Sequence, residues 1–242
     1  MEITTDFNIT KLFVTKDVRI IIDKKQYFVI KCKTVSDFYL DESWIAAYRL
    51  LTFNETEWKQ MLQIEKTEVY DYICFILFEL GKYKQYKFIS DNIIECLKNI
   101  CSDIVFDYKT KQIIINDITM TAQIWNYLIY VLKLSCGEKT TQPLVFDSPE
   151  AKEFFLKQQE YENRINKVKA NKEGTDDGLA KVLLAITYSF PSLTIDYLLQ
   201  QTMAQIHWLQ KMAAGEVSYS FNEKVFAAGN MKKGKKLDFF IK

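Results

Sequence analysis

Two β-hairpins are predicted by runs of apolar residues around short polar turns in the first half of the chain. Residues 18–22 and 27–33 are rich in β-branched and aromatic side chains, and a Lys-rich turn separates them. Residues 104–108 and 112–116 repeat this pattern around a second Lys-rich turn. Such runs around a short polar turn are typical of hairpins. Because an isolated hairpin is only marginally stable in water, we expect both to share one small sheet, although an internal duplication would also explain the repeat.

Helices are predicted around these hairpins by apolar residues at three- and four-residue intervals and by capping residues. Side chains such as Ser and Thr favour the start of a helix, and Gly favours the position just after its end. The predicted helices are residues 37–53 after the cap Ser36, residues 55–63, residues 67–80 before Gly81, a helix from Ser90 or Asp91 to residue 101, and one from Thr119 or Thr121 to residue 134.

A strongly polar helix is predicted over residues 150–169, where Ser148 is a suitable N-cap and Pro149 a suitable first residue. Its glutamates lie early and its lysines late, as the helix dipole favours. A thin apolar stripe on such a helix is typical of an exposed helix or one face of a coiled coil, so we expect that the chain can form a homo-oligomer. The sequence NKEGTDDG at residues 171–178 is typical of a linker.

The last part of the chain is predicted to be entirely helical. A short helix over residues 179–190 stops at Pro191, and Thr194 is the expected cap of a long helix that ends at Gly215. A last short helix over residues 219–228 precedes a Lys-rich tail. The predicted fold class is therefore α+β and predominantly helical, with one or two β-hairpins in the N-terminal part and an all-helical C-terminal part. The expected division is residues 1–142, 143–178 and 179–242.

Composition excludes several classes of protein. Of the 242 residues, 48% are hydrophobic and 14% aromatic, which excludes global disorder. The formal net charge of +1 gives no argument for a dedicated nucleic-acid or membrane-surface binder. The two most apolar stretches, residues 69–80 and 124–134, are about half the roughly 20 residues that a membrane span needs. Five scattered cysteines without a CxxC pair are typical of reduced thiols, so we expect a cytoplasmic protein.

Catalytic chemistry is not indicated by the sequence. No nucleotide-binding, nucleophile-elbow or zinc-protease motif occurs. The single histidine, His207, lies in a predicted helix beside Trp208, without an identifiable nucleophile or orienting group. The pair Asp176 and Asp177 lies in the Gly-flanked linker, where solvation explains it. The sequence thus predicts no catalytic residue, no cofactor and no metal site, and we expect a protein that is not an enzyme.

Five features occur in an order that resembles a known family. They are the run IINDIT at residues 114–119, the loop DSPE at residues 147–150, the helix LTIDYLLQQTMAQIHWLQKM at residues 193–212, the AAG sequence at residues 227–229, and the aromatic end at residues 239–241. Over residues 103–242 the chain resembles the tail assembly chaperones of large tailed bacteriophages that infect low-GC Gram-positive hosts. The resemblance implies a protein of the host cytoplasm that binds the tape-measure or tail-tube protein during tail assembly.

The expected partner contacts lie on the polar helix, on the helix over residues 193–212 and in the tail, where an apolar face can enter a groove of a helical partner. These candidate residues are Tyr161, Ile165, Leu198, Thr202, Gln205, Ile206, Trp208, Leu209, Phe239 and Phe240. One alternative is a structural component of the virion tail or baseplate. A further alternative is a regulatory nucleic-acid-binding protein that uses the lysines of the tail, although nucleic acid is not the expected partner.

Overall fold

The computed structural model describes residues 3–23, 25–40, 42–138, 140 and 178–227. Two small antiparallel sheets and several helices form the N-terminal part, and the described residues from 178 onwards are helical apart from short connections. The predicted fold class, α+β with helices predominating, is confirmed. The helix predicted at residues 150–169 and the Lys-rich tail lie outside the described residues. None of the helices in the described ranges has both the length and the apolarity needed to cross a bilayer.

The first hairpin is confirmed as part of a three-stranded sheet. Strands β1 (Thr4–Thr5), β2 (Asp17–Ile21) and β3 (Tyr27–Lys31) pair antiparallel in the order β1-β2-β3. Alternate residues of β2 and β3 point into the core, so that Ile20 opposes Phe28 and both are buried. In the turn, the Asp23 carboxylate accepts backbone N–H bonds from Lys25 and Gln26, which lower its pKa.

The second hairpin forms a separate sheet, so the predicted shared sheet is wrong. Strands β4 (Ile104–Asp107), β5 (Gln112–Ile115) and β6 (Ile118–Thr119) pair antiparallel in the order β4-β5-β6. Each hairpin gains a third strand of two residues from its own neighbourhood, which supplies the additional pairing that a lone hairpin lacks. The short strand precedes the hairpin in the first sheet and follows it in the second. The sheets are linked by a side-chain bond, in which Asn116 Nδ2 donates to the Tyr27 carbonyl over 2.9 Å.

The helices of the N-terminal part differ from the predicted ones mainly at their starts. The helix predicted over residues 37–53 corresponds to the helical residues Val35–Leu40 and Glu42–Thr52, and its first cap is Thr34 instead of Ser36. Ser90 and Asp91 do not begin a helix, because the fourth predicted helix starts earlier and buries Ser90 in its interior. Thr121 is confirmed as a cap by its bond from Ile124 N–H. The helices are α1 (Ile9–Leu12), α2 (Val35–Leu40), α3 (Glu42–Thr52), α4 (Glu55–Leu62), α5 (Val69–Phe75), α6 (Lys84–Ile100) and α7 (Ala122–Ser135).

A π-helical segment, Ile76–Leu80, continues directly from α5. Its last turn approaches α6 so closely that a Cβ atom on Gly81 would lie 2.6 Å from Ser90 Oγ. The main core lies between the two sheets and helices α3 to α7, and its largest side chains are Trp58 and Trp125, both fully buried. The Trp58 ring stacks on Tyr72 at 6.3 Å with a 12° interplanar angle. Aromatic packing thus fixes α4 against α5.

The C-terminal helices are α8 (Gly178–Ser189), α9 (Ile195–Leu199) and α10 (Met203–Ala227). The prediction of one helix from Thr194 to Gly215 is confirmed at its cap, Thr194, but it is wrong about the continuity of the helix and about its end. Thr194 caps only the short α9, and Thr202 starts a new helix. This helix continues through Gly215, which is buried, and includes most of the segment predicted as a separate helix over residues 219–228.

Residue Gln63 at the end of α4 provides a test of local backbone strain. It has φ of 54° in the left-handed region and ends the helix with its N–H bonded to the Lys59 carbonyl over 2.8 Å. Gln63→Gly is expected to raise the free energy of unfolding by about 0.5–1 kcal/mol, because glycine adopts this conformation without strain. The exposed Gln60 inside α4 is the matched control, and Gln60→Gly should lower the same quantity by about 1 kcal/mol. Urea denaturation of both variants measures the two signs.

Candidate protein-interaction site

The start of α10 is held by a capping box that is completely buried. Gln205 N–H donates to Thr202 Oγ1 over 3.3 Å, and Thr202 N–H donates to Gln205 Oε1 over 2.7 Å. Both side chains are 0% exposed. Gln205 Nε2 also donates to Gln201 Oε1 over 3.1 Å. The reciprocal bonds satisfy two N–H groups that the helix itself leaves without acceptors.

A second capping box, at the start of α2, faces the first one. Thr34 N–H donates to Asp37 Oδ2 over 2.7 Å, and Asp37 N–H donates to Thr34 Oγ1 over 3.4 Å. Thr34 and Thr202 form an antiparallel β-bridge, and Val35 N–H donates to the Gln201 carbonyl over 2.7 Å. We call these two capping boxes and their bridge the capping junction. It joins the N-terminal part to the C-terminal helices through backbone hydrogen bonds.

His207 makes a further contact between the two parts. Its Nδ1 lies 3.3 Å from the carbonyl oxygen of Gly137, just after the end of α7. Gly137 has φ of +75°, and a Cβ atom there would lie only 2.2 Å from His207 Nδ1. Only a residue without a side chain allows the ring to come this close. The structure therefore gives the single histidine of the chain a packing contact between α7 and α10.

Most of the described candidate partner residues are buried. Leu198 and Ile206 are 0% exposed and Leu209 is 7% exposed, and all three belong to a second apolar core with Val35, Leu183, Ile186 and Ala213. In this conformation they stabilise the C-terminal helices and do not reach a partner. Thr202 and Gln205 belong to the capping junction. Tyr161, Ile165, Phe239 and Phe240 lie outside the described residues, so their partner contacts stay predictions.

Among the candidate residues that the structure describes, Trp208 is the one that reaches the surface, with 39% of its area exposed. Its ring packs edge-on against Phe13, at 5.6 Å between centroids and 65° between planes. Val14 follows Phe13 and is 83% exposed, and Met212, one turn after Trp208, is 38% exposed. We call Phe13, Val14, Trp208 and Met212 the α1/α10 patch. Sequence reasoning missed Phe13 and Val14, because the apolar run LFV at residues 12–14 gives no sign of which side chains face outwards.

A cleft of about 420 Å³ lies beside α5 and the π-helical segment. Two of its carboxylates have lysine partners: Glu79 pairs with Lys82 and Lys111, and Glu65 pairs with Lys59, so the pKa of both carboxyls is lowered. Burial raises the pKa of the Cys74 thiol in the same cleft. The lining residues are Glu65, Lys66, Thr67, Asp71, Cys74, Phe75, Glu79 and Lys111. The two glutamates of the cleft are therefore neutralised by lysines, and its thiol is protonated at neutral pH.

Burial also raises the pKa of the thiols of Cys32, Cys101 and Cys136 to about 12, so these three are protonated at neutral pH. Such thiols are poor nucleophiles and poor metal ligands at neutral pH. Within the described part of the chain, no group of three His, Cys, Asp or Glu side chains is placed to hold a metal ion. Among the described residues, the α1/α10 patch is therefore the candidate site for binding a partner protein.

Comparisons with protein-family models, with curated proteins and with solved structures found no match to this chain.

The capping junction predicts that a buried cap contributes more than an exposed one. Thr202→Val removes the acceptor of the buried Gln205 N–H and is expected to lower the free energy of unfolding by about 1–3 kcal/mol. Thr194 caps α9 in the same way but is exposed, so water can replace its hydroxyl. Thr194→Val should therefore cost at most about 1 kcal/mol. Equal losses in chemical denaturation would contradict the role of burial.

The second core predicts that Ile206 is needed for folding. Ile206→Asp places a carboxylate among apolar side chains and is expected to lower the free energy of unfolding by about 4 kcal/mol or more. Circular dichroism should show the loss of the C-terminal helices. Gln210→Asp, one turn later on the exposed side of α10, is the control and should leave both quantities nearly unchanged. A folded Ile206→Asp protein would disprove the packing of this core.

Proposed function

We propose that the protein is a non-enzymatic tail morphogenesis factor of a tailed bacteriophage, with the activity of a tail assembly chaperone. Its partner would be the tape-measure protein or a tail-tube or baseplate protein, bound during assembly in the host cytoplasm. The proposal rests on the order of sequence features over residues 103–242 that resembles this family. The structural observation that supports it is the α1/α10 patch, which presents Trp208 at the surface within that region.

The chemistry of the patch suits a helical protein partner. Tryptophan, phenylalanine and methionine are enriched at the centres of protein interfaces, and the rigid aromatic rings bury large areas with little loss of side-chain entropy. A partner helix with apolar residues at three- and four-residue intervals could place them against Trp208 and Met212. The edge-on contact with Phe13 holds the Trp208 ring in place, so the ring does not have to be ordered on binding.

The role in assembly is tested by comparing infected cells with finished particles. A tagged copy should capture the tape-measure or tail-tube protein from infected cells, and mass spectrometry of purified virions should not detect the protein. Stoichiometric copies in the virion would instead identify a structural component of the tail or baseplate. Capture of neither tail protein would contradict both roles.

The patch is tested by Trp208→Glu, which introduces a charge at its centre. We expect capture of the tail partner to fall at least about tenfold, because the apolar contact is lost and the carboxylate must be desolvated. The melting temperature should change by only a few degrees, since the side chain is partly exposed. Phe88→Glu is the matched control: Phe88 is 73% exposed on α6, far along the chain from the patch, and its substitution should leave capture intact. Undiminished capture by the Trp208 variant would exclude the patch as the binding site.

A further inference from the structure

Helix α8 has apolar side chains on both of its faces. The inner face contributes Leu183 and Ile186 to the second core. The outer face is exposed and contains a single charge; Leu184 is 57% exposed and Tyr188 is 86% exposed. We call this face the α8 stripe, and its members are Ala180, Lys181, Leu184, Ala185 and Tyr188.

The spacing of the α8 stripe makes it one continuous surface. At 3.6 residues per turn, its five positions cover an arc of about 140° on one side of the helix. A surface helix of a globular protein normally has polar and charged side chains on this side, and a helix that is apolar all round is normally covered. An exposed Leu and Tyr beside two alanines therefore indicate a surface that another element covers.

We propose that the α8 stripe is a homodimer surface, on which α8 of a second copy packs antiparallel about a two-fold axis. Lys181 and Tyr188 lie at equal distances on either side of the Leu184–Ala185 pair. An antiparallel arrangement therefore places the Lys181 ammonium of each copy over the Tyr188 ring of the other, a cation–π contact made twice. Parallel packing would instead bring the two lysines together. Ala180 and Ala185 leave room for the helices to approach to about 8–10 Å.

The α8 stripe is small, so we expect the dimer to be weak. A helix of 12 residues is about 18 Å long and about 10 Å wide. The area that one face of such a helix can bury is therefore well below the roughly 800 Å² that each partner buries in a stable interface. Exposed apolar side chains also occur on α9, which contacts α8: Ile195 is 43% exposed and Tyr197 is 41% exposed. We therefore expect a weak dimer with a dissociation constant on the order of 10–100 µM.

Sedimentation equilibrium of the full chain tests the dimer. Between about 1 µM and 500 µM, the weight-average mass should rise from the 28.5 kDa of one chain towards twice that value. Leu184→Glu should stay monomeric over this range, while Phe88→Glu, an equal change at an exposed site on α6, should dimerise like the wild type. A wild type that stays monomeric, or a Leu184→Glu protein that still dimerises, would overturn the proposal.

A charge exchange tests the antiparallel register. Tyr188→Lys alone places two lysines against each other across the interface and should abolish dimerisation. Lys181→Glu alone removes the cation–π contact and should weaken it. The double variant should restore dimerisation, because the carboxylate introduced at position 181 of each copy then meets the ammonium introduced at position 188 of the other. The two positions are about 10 Å apart along one helix, so a rescue must act between copies. Absence of rescue would exclude this register.

Discussion

A helix start leaves its first N–H groups without intrahelical acceptors, and this constraint determines how the C-terminal helices join the rest of the protein. Capping boxes of the capping junction solve this problem at both α2 and α10, and the box at α10 is buried, where water cannot supply the missing acceptors. The side chains of Thr202 and Gln205 each accept the other residue's backbone N–H, and so do those of Thr34 and Asp37. The two starts can then approach closely enough to share a β-bridge. The second core and the placement of Trp208 both follow from this contact.

The sequence predicted the elements that depend on neighbouring residues. Both hairpins are predictable because the runs of β-branched residues and the polar turns lie within a few residues of each other. The strands Thr4–Thr5 and Ile118–Thr119 were missed because two residues are too few to show an alternation. They form because a hairpin edge is already present beside them. Separation into two sheets likewise depends on contacts that no local pattern describes.

The start of α10 shows how two local signals can compete. Thr202 and Gln205 have the spacing of a capping box, which is a signal for a helix start. The apolar period from Leu198 to Met212 continues across that point and favoured a single helix. Both signals are correct: a new helix starts at Thr202, and α9 and α10 still place their apolar residues in the same core. The same apolar period was the basis for choosing the candidate partner residues on this helix. It marks the face that packs into the core, so most of the described candidates are buried.

The tryptophans of this protein are distributed in a way that makes one of them an optical reporter. Three of the four, Trp44, Trp58 and Trp125, are at most 3% exposed, whereas Trp208 is 39% exposed. A small ionic quencher in the solvent would therefore reduce the emission of Trp208 and leave that of the other three nearly unaffected. The quenchable part of the intrinsic fluorescence thus reports whether the α1/α10 patch is open or covered, in the unmodified chain and without an attached dye.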